Sequence, residues 1–173
     1  MEKKRNAGQT ARRTASMGLL LALALVLNLV EGMLPALPAM PPGVRLGLSN
    51  IVVLYCVLYL GRKEAFTIAV LKSGFVLLTR GFSAGFISLC GGLLSVAVMA
   101  LTARSEKLSV LMKSVMGALA HNLGQLVAAS VYLQSLYAFY YAPVLVLSGI
   151  LMGSVTALLT KTVMPALRRI SGR

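Results

Sequence analysis

The chain has 173 residues, 58% of them hydrophobic and 12% charged, with a mean hydropathy of +0.85. An aqueous globular domain of this size has too much surface to hide that much apolar material, so a soluble fold is excluded. The 17 Lys+Arg against 4 Asp+Glu give a net charge of +13. Even so, the chain has no Trp and its basic stretches lack the interleaved aromatics that stack bases, which argues against a nucleic-acid partner.

Residues 1–13 read as a basic cytoplasmic segment. Residues 14–30 carry no charge and suffice for the first span, since a hydrocarbon core about 30 Å thick needs roughly 17–25 helical residues. Basic residues before an apolar run also suit a cleaved signal. Here Asn28 and Glu31 follow without a small-x-small site, so a retained helix is expected. Pro35, Pro38, Pro41 and Pro42 then form a stiff turn segment. A second, slightly short span covers 46–61, and a third covers 65–79, interrupted by Lys72 and closed by Arg80. The fourth covers 81–103. Residues 114–160 hold no fixed charge, and as one helix they would run to about 70 Å, so they must fold back once. The break belongs near 134–143, where Gln134, Ser135, several tyrosines and Pro143 coincide. The expected fold is therefore an all-α membrane protein, a bundle of about six transmembrane helices over 14–164 with a basic tail at 165–173.

The cations orient this bundle. With the N-terminus inside, 14 of the 17 fall in the inner segments: the first 13 residues, Arg62 and Lys63, the 104–113 link, and the C-terminal end from Lys161. That asymmetry predicts a multi-pass protein of the cell membrane with both termini cytoplasmic. The lipid bilayer then accounts for most of the +13, through topology and attraction to anionic inner-leaflet lipid.

Arg45, Lys72 and Arg80 are left over. A charge within a span costs at least about 2.5 kcal/mol on insertion scales and normally faces a cavity or a partner. Glu31, at the outer end of helix 1, is the one acid near them. Two readings follow. In one, the arginines snorkel to lipid phosphates and Lys72 pairs with Glu31. In the other, the surplus positive charge lines a pocket for an anionic ligand. Helix 5 adds Gly117, His121, Gly124, Gln125, Ala128 and Tyr132 at i, i+3 and i+4 spacing, which makes one small and polar face, with Asn122 about 100° round from His121. These groups serve either as interhelical hydrogen-bonding glue or as ligand contacts.

Other motifs describe packing or exclude chemistry. Gly149-x-x-x-Gly153-x-x-x-Ala157 and Ser88-x-x-x-Gly92 are grooves for close helix approach, and Gly18-x-x-x-Ala22 is either another groove or an external docking face. With one His, and with Cys56 and Cys90 in separate apolar spans, neither a metal site nor a disulfide is expected. The chain contains no Asp, hence no aspartate-rich diphosphate–magnesium motif of a chain-elongating prenyl synthase, and it has no P-loop and no G-x-S-x-G nucleophile motif. No catalytic residue and no cofactor is expected.

The stretches Pro42-Gly-Val-Arg-Leu-Gly-Leu-Ser-Asn-Ile-Val, Ser88-Leu-Cys-Gly-Gly-Leu-Leu-Ser-Val-Ala-Val-Met and Gly117-Ala-Leu-Ala-His-Asn-Leu-Gly-Gln-Leu resemble the Gx transporter family, also labelled heptaprenyl diphosphate synthase component I. The resemblance covers about residues 14–164; Cys90 departs from the small residue expected before Gly91-Gly92. In layout the family is similar to the S components of energy-coupling-factor (ECF) transporters. It implies an outward-opening ligand site and, through Gly18 and Ala22, docking on a transmembrane coupling subunit driven by ATPases. The expected function is a membrane substrate-binding subunit for uptake of a small anionic or amphipathic metabolite. Arg45, Lys72, Arg80 and Glu31 would set the charge of its site, and Asn50, His121, Asn122 and Gln125 would orient the ligand. The alternatives are a non-catalytic accessory subunit of isoprenoid or quinone synthesis, partnered by a prenyl synthase, and an anchor for an extracytoplasmic redox complex.

Overall fold

The computed structural model describes residues 2–33, 45 and 47–171, with side chains placed for 11, 13–33, 45 and 47–162. Within these the chain is all helix and turn. Helix α1 runs Glu2–Met33, α2 Asn50–Tyr55, α3 Arg62–Arg80, α4 Phe82–Thr102, α5 Val110–Leu133 and α6 Ala142–Ser171. A π-helical turn, Cys56–Leu60, continues α2, and a 3-10 helix, Leu136–Tyr141, precedes α6. Pro35, Pro38, Pro41, Pro42 and Arg173 lie outside the described residues. So do the side chains of Lys3, Lys4, Arg5, Arg12, Arg168 and Arg169.

Local chemistry explains the boundaries. Gly81 is the whole link between α3 and α4, and its φ of 88° is a conformation that glycine adopts at little cost. Ser109 caps α5 by accepting a hydrogen bond from the Met112 amide at 3.2 Å. At the far end of α5, Gln134 turns left-handed, and the Ser135 amide bonds back to the Ser130 carbonyl at 3.1 Å. The chain reversal thus falls inside the 134–143 window that composition predicts.

Among the described residues three helical stretches are long and apolar enough to cross a membrane: Arg13–Met33, Phe82–Thr102 and Leu136–Thr162. Helix α3 covers the third expected span and α5 the first half of the 114–160 run, whereas the second expected span differs. The second has only the apolar stretch Asn50–Leu60, about 16 Å long at helical rise. From Asn50 to Val57 it is buried apart from Ile51. Arg45 and residues 47–49 precede it outside the helix, so Arg45 does not open the helix but sits five residues ahead of it.

Two clusters form the core. Near the α1–α3 side, Leu20, Ala24, Leu54, Cys56, Ile68 and Met99 pack together. Toward the α5–α6 turn, Ile87, Leu126, Ala129 and Leu145 form the second. Helix α5 lies between α4 and α6 and packs extensively on both. Its approach to α4 is close because Gly124 faces the Cys90 and Gly91 backbone, where a methyl would come within 2.9 Å of both. The expected groove on α6 is used inside the chain. Gly149 lies over Leu119 and Asn122, Gly153 lies over Val115, and the Gly153 carbonyl accepts from Ser114 Oγ at 2.6 Å. Ser88 meets Ser73 across α3 and α4 at 3.3 Å. Cys56 and Cys90 are both free thiols.

Candidate functional site

Helical spacing brings polar groups from four helices and one loop to a single interior point. On α3, Lys72, Val76 and Arg80 follow at i, i+4 and i+8. On α5, His121 and Gln125 are four apart, as are Ala84 and Ser88 on α4. Helix α1 contributes Asn28 and Glu31, and the loop contributes Arg45, Gly47 and Ser49. These residues enclose a cavity of about 20 Å³, room for about one water molecule.

Lys72 is the centre of the site. It is 1% exposed, and its ammonium donates to Ser49 Oγ at 2.9 Å. An ammonium has three donors, and a buried one is costly without a counter-ion. Glu31 does not pair with it. Its carboxylate accepts from the Gly47 amide at 2.7 Å and the Leu48 amide at 3.1 Å. Among the described residues the ion pair within 4.0 Å is instead Arg13–Glu64, at the opposite end of α3. The expected alternative in which Glu31 neutralises Lys72 by direct pairing is therefore not formed; the carboxylate turns one oxygen to each of two loop amides instead.

The arginines crown the cavity. Arg80 donates to the Asn28 carbonyl at 3.2 Å, and both Arg80 and Arg45 reach over Gly32 near the end of α1. The Arg45 amide donates to Gln125 Oε1 at 3.3 Å, tying the loop to α5. Two polar atoms of cavity residues have no hydrogen-bond partner, Asn28 Oδ1 and His121 Nδ1, and behind Gly47 neither side-chain polar atom of Asn50 has one. Buried polar groups are normally hydrogen-bonded, to protein or to ordered water; Asn122 Oδ1, Ser130 Oγ and Thr160 Oγ1 are likewise without a protein partner away from the cavity.

Of the residues singled out from sequence, Arg45, Lys72, Arg80, Glu31, His121 and Gln125 line the cavity. Asn50 is buried just behind Gly47. Asn122 points elsewhere. Its Nδ2 donates to the Leu145 carbonyl at 2.7 Å and to Ser148 Oγ at 3.3 Å, so it joins α5 to α6. Its 100° offset from His121 aims it at the other neighbour. Gly18 and Ala22 are exposed on α1, with nothing within 4 Å of a methyl built on Gly18. Sequence reasoning missed Asn28 and Ser49 as site residues. The three-residue spacing of Asn28 and Glu31 was the available signal for the first, whereas Ser49 is set by a loop that no periodicity describes. No cluster of three or more metal-ligating side chains occurs among the described residues.

Fold and site define the class as an all-helical protein with several membrane-length apolar helices and a small cationic chamber among them. A family model described as heptaprenyl diphosphate synthase component I matches residues 20–163, and the chain belongs to that family. The match contains every cavity residue named above. It agrees with the reading that the chain is not catalytic alone. No curated protein and no solved structure matches the chain.

Proposed function

We propose that this chain is a membrane-embedded, non-catalytic subunit of prenyl diphosphate metabolism that holds the anionic group of a small or amphipathic ligand at Lys72. The observation that carries the reading is the buried Lys72, flanked by Arg45 and Arg80 and lacking a carboxylate partner within 4.0 Å among the described residues. Three cations against Glu31 leave a surplus that an anion would neutralise in a low-dielectric interior. The family description supports a prenyl synthase as partner and a diphosphate as the kind of group involved. Membrane embedding is supported by the three long apolar helices among the described residues and by exposed side chains such as Leu78, Leu101, Leu147 and Leu158, each at least 64% accessible. The cation asymmetry supports cytoplasmic termini, with the cavity toward the outer end of α3.

A second reading assigns the same site to uptake of its ligand, as in S components of ECF transporters. The specific observation in its favour is the open face of α1, where Gly18 and Ala22 lie beside exposed Leu19, Leu23 and Val26. Affinity purification of the full chain from its native membrane separates the two. Co-purification of a soluble prenyl synthase whose activity falls on deletion of this chain supports the first. Recovery of a transmembrane subunit with ATPases, and intact synthase activity, supports the second.

A further inference from the structure

The Glu31 carboxylate occupies an unusual seat. It is 7% exposed, stands among three cations, and uses its two oxygens on consecutive backbone amides, Gly47 and Leu48. Two successive N–H groups converging on one anion form a concave donor site of the kind that also receives phosphate and carboxylate ligands. Gly47 itself lines the cavity and has a φ of 87°, which aims this backbone in a way that ordinary side chains resist. The remaining free volume, about 20 Å³, admits a water but no larger anion.

We infer that Glu31 is an internal substitute for the ligand's anionic group, and that binding exchanges the two: the incoming anion takes the Gly47 and Leu48 amides while Glu31 swings away. The inference rests on the anion-binding reading above and adds its mechanism. Glu31 belongs to the end of α1, whereas the amides belong to the loop before α2, so the same exchange breaks the tie between α1 and that loop. The empty site is thereby filled and electrostatically moderated by its own carboxylate. A bound anion would hold the loop in its place. His121 Nδ1 and Asn28 Oδ1, buried and unpartnered at the same cavity, remain for the rest of the ligand or for its protons.

The test uses the full-length protein in nanodiscs with inorganic pyrophosphate as the probe, combining binding titration with hydrogen–deuterium exchange of the 45–50 segment. The Gly47 and Leu48 amides should be protected in the empty wild type and exchange rapidly in empty Glu31→Ala. Pyrophosphate should protect them again, and it should bind Glu31→Ala at least about tenfold more tightly than wild type, a difference of roughly 1.4 kcal/mol. Glu31→Gln, which keeps the shape and one acceptor, covers the case in which the alanine variant does not fold: its affinity should also exceed wild type, with intermediate protection. Binding to wild type that neither variant tightens overturns the exchange and leaves the anion site standing. Absence of binding to every form overturns the anion site and the exchange together. Unchanged protection in empty Glu31→Ala also contradicts the exchange, because the carboxylate then holds nothing.

Discussion

Lys72 Nζ lies 2.9 Å from Ser49 Oγ, joining the middle of α3 to the loop that leads into α2. A neutral hydroxyl thus stands where a buried ammonium would ordinarily meet a carboxylate. The loop reaches the interior because α2 is short, and its buried backbone groups line the cavity.

Replacing Lys72 by Met should separate binding from folding. Relief of a buried charge offsets the lost Ser49 hydrogen bond, so thermal stability in detergent should change by no more than about 1 kcal/mol. Affinity for pyrophosphate should fall at least about thirtyfold, roughly 2 kcal/mol. A denaturation series run beside a binding titration checks both halves.

Asn122→Ala should do the reverse. Its bonds go to Leu145 and Ser148 on α6, so stability should drop by about 0.6–2 kcal/mol while pyrophosphate affinity stays within twofold of wild type. Thermal unfolding and the same titration distinguish this from a ligand-contacting role.

The packing on either side of α4 can be probed at two glycines, Gly124 of α5 against α4 and Gly92 of α4 against α3. Gly124→Ala brings a methyl onto the Cys90 and Gly91 backbone and should destabilise by about 1–3 kcal/mol. Gly92→Ala meets Ala69 Cβ at 3.6 Å and Ser73 Oγ at 3.9 Å, ordinary contact distances, and should stay within about 0.5 kcal/mol of wild type. Melting temperatures of the two variants provide the comparison.

At the other end of the bundle, Arg13 on α1 pairs with the nearly buried Glu64 on α3. Arg13→Ala should destabilise more than the double change Arg13→Ala with Glu64→Gln, because only the single variant leaves the carboxylate without its partner. A double-mutant cycle measured by thermal unfolding reads the difference.

Much of this was legible in the sequence because long apolar runs and charge-free intervals have few solutions. The turn at Gln134, the helix pairs and the cationic character of the site all follow from spacing and from the cost of Lys72 in an apolar run. The length of the second span was not legible. Residues 46–49 are apolar or small enough to extend a helix, but Gly47 turns to positive φ and Ser49 is drawn to Lys72. Of the two readings of Glu31, the direct pairing with Lys72 is the one the fold does not form, for a related reason. Charge counting pairs it with the nearest cation, and only the folded loop supplies the two amides that win the carboxylate instead. Asn122 and His121 are neighbours in sequence, yet a 100° step on α5 sends one to α6 and the other to the cavity.

The most direct test of the account is native mass spectrometry of small molecules retained by the full-length protein, wild type against Lys72→Met, released from the same membranes. The account predicts an anionic, phosphate-bearing or amphipathic species on the wild type and its loss from the folded Lys72→Met variant. Equal retention by both proteins, or no anionic species on either, would contradict it.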